Sequence, residues 1–163
     1  MEAAAPRYKI PRSVLVVIHT FDLRVLLIER AQGKDLWQSV TGSLDAEDEP
    51  LRGAALREVA EETGIDATIH ELSDWQTENR FEIFARWSNR YPPGVIMNTE
   101  HVFGLALPTV VDVHLSPREH TDFVWLPYAQ AASKCFSWSN RDAILQLPVR
   151  YGDRPARRDS HWM

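Results

Sequence analysis

Apolar positions along the chain follow two different rhythms. Ser13-Val14-Leu15-Val16-Val17-Ile18 is apolar at every position after its serine and rich in β-branched residues, the pattern of a strand covered on both faces. Phe21-Asp22-Leu23 turns the chain, and Val25-Leu26-Leu27-Ile28-Glu29-Arg30 resumes the pattern, so a hairpin is predicted. A polar loop follows over 31–34, then a short strand over 36–40 that ends at Thr41-Gly42-Ser43. After an acidic stretch at 45–49 the rhythm changes. Leu51, Ala55, Leu56 and Val59 fall on one helical sector, which predicts a helix over about 50–63. Pro50 suits its first turn, and Gly64 suits the left-handed residue that ends many helices. Gly53 inside that helix costs about 1 kcal/mol relative to alanine, which points to close packing there.

Further strands are predicted over 80–87, 101–107 and 122–126, with turns at Tyr91-Pro92-Pro93-Gly94 and Pro108. Short helices are predicted over 128–134 and 139–145. From Arg150 onward apolar periodicity is lost until Trp162, so residues 1–149 read as one domain and 150–163 as a mobile tail. Strands around one long helix, ending in short helices, imply an α/β sandwich or an α+β arrangement.

Composition narrows the function classes. A chain of 163 residues, 44% hydrophobic and 25% charged, has the make-up of an ordinary globular domain with a core. Its net charge of −5 gives no basic footprint for nucleic acid or an anionic membrane. A phosphate-bearing substrate would therefore need local Arg or Lys groups, or a metal ion. Cys135 is the single cysteine, which excludes an internal disulfide framework or a Cys-rich zinc site and points to a reducing, cytoplasmic setting. The first apolar run is shorter than the about 7–15 residues of a secretory segment or the about 20 of a membrane helix.

The predicted helix carries an electrostatic anomaly. Glu58 and Glu62 lie about 40° apart around the axis, and Glu61 falls about 60° to the other side of Glu58. Three carboxylates on one face repel each other, and they crowd the negative end of the helix dipole. A solvated acidic surface is the ordinary explanation of such a face. Here the glutamates border the apolar stripe, Arg57 precedes them and Gly64 ends the helix beside them. Hard carboxylate oxygens grouped in this way suit Mg²⁺ or Mn²⁺.

The run Gly42…Glu49-Pro50-Leu51-Arg52-Gly53-Ala54-Ala55-Leu56-Arg57-Glu58-Val59-Ala60-Glu61-Glu62-Thr63-Gly64-Ile65 resembles the box of the Nudix hydrolases. One residue is inserted between Gly42 and Glu49, which leaves the helix register intact and the roles of Asp45, Glu47 and Asp48 open. The resemblance implies an α/β/α sandwich with a mixed central sheet and a pyrophosphohydrolase. It further implies Glu58 and Glu62 as metal ligands, Glu61 as ligand or base, and Arg57 as the residue that orients the helix carboxylates.

Other segments are similar to the bacterial dihydroneopterin triphosphate diphosphatases of folate biosynthesis. They include Tyr8-Lys9, Trp37-Gln38-Ser39-Val40-Thr41-Gly42-Ser43, Phe81-Glu82-Ile83-Phe84, Asn98-Thr99-Glu100 and Ser137-Trp138-Ser139-Asn140-Arg141. That resemblance implies hydrolysis of 7,8-dihydroneopterin triphosphate to the monophosphate and pyrophosphate. Lys9 and Arg30 become candidate phosphate contacts, and Thr41 and Ser137 candidate hydroxyl donors. Phe81 and Phe84 either frame the pterin or pack in the core. Glu119, in a polar loop, would complete the metal site or act as base, while His120 beside it reads as a surface or structural histidine. Two other readings stand beside this one: a Nudix hydrolase for nucleoside triphosphates or dinucleoside polyphosphates, and a non-catalytic Nudix-fold binding module. The retained Glu58, Glu61 and Glu62 argue against the second. Oligomeric state is left open.

Overall fold

The computed structural model describes residues 7–151. In chain order its strands are β1 (Arg12–Thr20), β2 (Arg24–Arg30), β3 (Trp37–Gln38), β4 (Val40–Ser43), β5 (Glu71–Glu82), β6 (Met97–Leu107) and β7 (His120–Pro127). Its helices are α1 (Leu51–Thr63), α2 (Tyr128–Lys134), α3 (Trp138–Leu145) and α4 (Leu147–Tyr151). β1 lies mid-sheet, parallel to β6 and antiparallel to β2 and β4. β2 carries β3 and β7, and β6 carries β5, which completes a seven-stranded mixed sheet.

The unbroken apolar character of β1 has a simple cause. Val14, Val16 and Ile18 pack in one layer with Ala54, Ala55 and Val59 of α1, while Leu15 and Val17 pack in the other with Ala131, Ala132, Ala143, Ile144 and Leu147 of α2–α4. β2 divides in the same way, Leu26 and Ile28 facing α1 and Val25 and Leu27 facing the terminal helices. The result is an α/β/α sandwich whose strands are covered on both faces. Among the described residues no helix is long and apolar enough to cross a membrane.

The structure departs from the expectation in several places. The strand expected over 80–87 instead runs from Glu71 to Glu82, and Ala85–Arg90 form a 3₁₀ turn. β5 is a polar edge strand, bulged between Asp74 and Thr77 with Gln76 at a φ of 54°, so it offers no apolar alternation to read. β6 begins at Met97 and not at residue 101, and its first residues escape the apolar pattern since the buried ones there, Asn98 and Glu100, are polar. The chain also stays helical through Arg150 and Tyr151: the Arg150 guanidinium lies 4.4 Å from the Trp75 ring centre and donates to Thr77 Oγ1 at 3.2 Å. The rest of the expected tail, 152–163, lies outside the described residues.

Gly53 is not closely packed, since a Cβ there would meet only Pro50, at 3.9 Å. Gly53→Ala is therefore expected to stabilise the protein by about 0.4–1 kcal/mol. Gly64 has a φ of 75° and His114 Cβ 3.2 Å from the position its own Cβ would take, so Gly64→Ala should destabilise by about 1 kcal/mol or more. Urea midpoints for the two variants should move in opposite directions.

Candidate active site

α1 packs across β4 so tightly that a Cβ on Gly42 would overlap the Glu58 carboxylate. Arg57 holds the loop and helix together. Its guanidinium donates to Glu49 Oε2 at 2.9 Å and Oε1 at 3.0 Å, to Glu58 Oε2 at 3.0 Å, to Glu61 Oε1 at 3.3 Å and to the Ser43 carbonyl at 3.2 Å. The hydrogen bond to Glu49 raises the Arg57 pKa and lowers that of Glu49. The inserted residue is absorbed in a turn: Asp45 N–H donates to Glu49 Oε1 at 2.7 Å and its carboxylate lies 3.1 Å from Arg57 Nε. Asp45 thus joins the network, whereas Glu47 and Asp48 stay exposed.

Glu58 and Glu62 are buried, and Glu61 is exposed on the outer flank of the helix. Desolvation raises the pKa of both buried groups. Glu62 lies well above the ordinary carboxylate range because the Glu58 charge adds to its burial, although the Thr41 backbone N–H partly compensates. Glu62 Oε1 has no hydrogen-bond partner among the described residues.

The pairing of β2 with β7 shifts register at Glu29/Arg30, where Arg30 pairs with His120 and Thr121 is the extra residue of a bulge at the start of β7. Ligand atoms of Glu62, Glu119 and His120 all lie within 4.8 Å of one another there. His120 is buried rather than on the surface, and desolvation followed by the charge of Arg30 depresses its pKa to about 4. Its imidazole is therefore neutral near pH 7. Buried carboxylates of raised pKa, one with an orphan oxygen, fit a divalent cation.

Cations line the other side of the cleft. Lys9 and Arg30 both have lowered pKa values, first from desolvation and then from neighbouring positive charge that includes Arg90. Arg30 also stacks 4.4 Å from the Trp87 ring centre. A polar cavity of about 490 Å³ brings together Lys9, Arg30, Thr41, Arg57, Glu58, Glu61, Glu62 and Glu119. It adjoins an aromatic cavity of about 280 Å³ that shares Lys9, Arg30, Thr41 and Arg90 and is walled by Phe81, Phe84, Trp87, Phe136 and Trp138.

Phe81 and Phe84 are not part of the core. Phe81 meets Trp138 edge-on at 6.4 Å, and Phe84 contacts Trp87 at 5.3 Å and Phe136 at 5.8 Å. Ser137 lines the aromatic cavity and caps α3, accepting from Asn140 N–H at 3.2 Å. The Thr41 hydroxyl is committed to the Val14 carbonyl at 2.9 Å, which leaves its backbone N–H to face the site. Cys135 lies outside the polar cavity, and burial pushes its thiol up to about 12.

Trp87, Arg90, Phe136, Asn98 and Glu100 also line the aromatic cavity, and nothing in the local sequence around them marks them as site residues. Trp87 and Arg90 come from a 3₁₀ turn, Asn98 and Glu100 from the start of β6 and Phe136 from the loop between α2 and α3, and no motif spacing relates them. For Arg90, Asn98 and Glu100 the only signal is their place in segments similar to the family, Arg90-Tyr91-Pro92-Pro93-Gly94-Val95 and Asn98-Thr99-Glu100.

The raised carboxylates give a pH signature. Above about pH 4.5 the unfolded chain has released protons that the folded chain still holds on Glu58 and Glu62. Their contribution to stability is present below that pH and is lost as pH rises through the folded-state values. A divalent cation competes with those protons. Mg²⁺ should therefore raise the melting temperature more at about pH 8 than at about pH 5.5, and Glu62→Gln should flatten the difference.

Comparison with known proteins agrees with this geometry. Residues 9–147 match the NUDIX domain. Dihydroneopterin triphosphate diphosphatase of Escherichia coli is 46% identical over 145 residues, covering 87% of this chain and 95% of the relative. The Haemophilus influenzae enzyme of the same name is 36% identical over 141 residues, covering 85% and 87%. The solved structure of the E. coli dihydroneopterin triphosphate pyrophosphohydrolase superposes with a TM-score of 0.81 at 46% identity, over 88% of this chain and 98% of that one. A Caenorhabditis elegans Ap4A hydrolase, at 18% identity and a TM-score of 0.68, shares the fold. With its box helix, buried carboxylates and sandwich in common with these proteins, the chain belongs to the Nudix hydrolases and groups with the dihydroneopterin triphosphate diphosphatases.

Proposed function

We propose that this protein hydrolyses 7,8-dihydroneopterin 3'-triphosphate to dihydroneopterin monophosphate and pyrophosphate, a reaction of folate biosynthesis. The observation that carries the reading is the continuity of the cleft. An acidic and cationic half, suited to a metal and a triphosphate, opens directly into an aromatic half suited to a flat bicyclic ring. The 46% identity to the E. coli enzyme supports the same substrate.

Glu58 and Glu62, with Glu119, would hold Mg²⁺, or Mn²⁺ in its place. When bound, such a cation neutralises phosphate charge and makes an attacking water more acidic. Arg57 fixes the rotamers of Glu58 and Glu61 and ties them to Glu49. Lys9 and Arg30, where the two cavities meet, hold the phosphate chain between the metal site and the ring. Phe81 and Phe84 frame the pterin, and Ser137 lies at the cavity wall as a hydroxyl donor. The proton of the attacking water passes to Glu61 or Glu119.

Hydrolysis of dihydroneopterin triphosphate, dATP and a dinucleoside polyphosphate should be compared by kcat/KM, with products identified in ¹⁸O-labelled water. The pterin substrate should lead by about tenfold or more, and a lead for dATP would sink the reading. Glu58→Gln and Glu62→Gln should each lower kcat by about 100-fold or more, because even outer-shell changes at metal sites cost about 10–100-fold. Arg57→Ala should fall within that smaller range. Of Glu61→Gln and Glu119→Gln, the variant that removes the proton acceptor should abolish the acidic limb of the kcat/KM profile, and the other should keep it.

A further inference from the structure

Two hydrogen-bond acceptors in the aromatic cavity have no donor among the described residues. Glu100 Oε1 and Asn98 Oδ1 are both buried without a partner among the described residues, and both residues line the cavity. They sit two apart on β6 and so share one face of the sheet. Register places Phe81 beside Asn98, and Asn79 and Ser13 on either side of Glu100. Asn98 Nδ2 donates to Ser13 Oγ at 2.9 Å, an arrangement that turns the amide oxygen to the other side as the spare group. The Glu100 carboxylate is hydrogen-bonded by Ser139 and Asn79, yet burial still holds its pKa up.

A carboxylate buried this deeply normally has all its acceptor capacity used. Nothing in the hydrolytic chemistry employs Glu100, which lines the aromatic cavity and not the carboxylate cavity. A ligand seated in the cavity could supply the donors these two oxygens lack. Aromatic walls select a flat ring, and two acceptors select an edge that presents donors side by side. A 2-amino-4-oxopyrimidine ring has that edge, in its ring N–H and its amino group. An adenine edge pairs a donor with an acceptor, and a 2-oxo or unsubstituted ring lacks the amino donors.

We propose that Glu100 and Asn98 form a specificity-determining pair that reads the ring N–H and amino edge of a 2-amino-4-oxopyrimidine, the edge shared by pterins and guanine. The inference rests on the hydrolase reading above for the phosphate end of the ligand, but its recognition element is independent of turnover.

Pterin and lumazine differ in an amino against an oxo group at the critical position, and fluorescence titration measures the binding of each without any hydrolysis. The wild-type protein should bind pterin about tenfold or more tightly than lumazine. That ratio should fall in Glu100→Gln, which keeps the side-chain size, and approach one in Glu100→Leu. In turnover, Glu100→Leu should act mainly on KM for dihydroneopterin triphosphate, whereas a purely structural role would reduce kcat and thermal stability together. Equal wild-type affinity for the two rings, absence of binding included, overturns the proposal, as does an unchanged ratio in Glu100→Leu. If the variants fail to fold, the wild-type ratio alone decides. A pterin preference without turnover of dihydroneopterin triphosphate would keep this subsite and remove the substrate reading; turnover without the preference would do the reverse.

Discussion

Burying Val59, Ala54 and Ala55 of α1 against the sheet carries Glu58 and Glu62 inward with them, because one turn of helix separates neighbours on that face. Two carboxylates are thus desolvated side by side, an arrangement that local electrostatics oppose. Most of the surrounding structure answers that constraint. Gly42 has no side chain to collide with Glu58, Thr41 supplies a backbone N–H to Glu62, and Arg57 ties Glu58 to Glu49 and Asp45 across the loop. Residual repulsion remains between Glu58 and Glu62, where a divalent cation would relieve it. The site is a place where the fold carries an unfavourable local choice that function explains.

The sandwich supports this strain because the core around it is extensive on both sides of the sheet. β1 and β6 run parallel through the middle and carry apolar residues into both layers. Toward their N-terminal ends the same two strands change character, with Ser13, Asn98 and Glu100 buried in place of aliphatic residues. That change converts a packed layer into the floor of a cavity. α3 closes the cavity from the opposite side, anchored where Asn140 accepts from Ser39 N–H at 2.7 Å and donates to Ser39 Oγ at 2.9 Å. The aromatic cavity and the carboxylate cavity therefore draw on opposite layers of one sheet and meet at Arg30, which lines both.

By itself the sequence determined α1, its end at Gly64, the carboxylate face and the β1–β2 pair. In each case the information is local: helical periodicity, an αL glycine, charges three and four residues apart, or an unbroken apolar run. It also supported the family assignment, because the box is contiguous and the inserted residue falls in a loop. Only the tertiary structure decided the rest. β5 is polar and bulged because it is an edge strand, and edge strands carry little hydrophobic pattern. Gly53 proved to be lightly packed, and His120 to be buried beside Glu62 and Glu119, since neither property is encoded in neighbouring residues. The aromatic cavity gathers Phe81, Trp87, Phe136 and Trp138 with Asn98 and Glu100 from segments whose proximity exists only after the sheet has formed. Burial turns an ordinary Asn-Thr-Glu segment into two unmatched acceptors, and burial is a property of the folded chain.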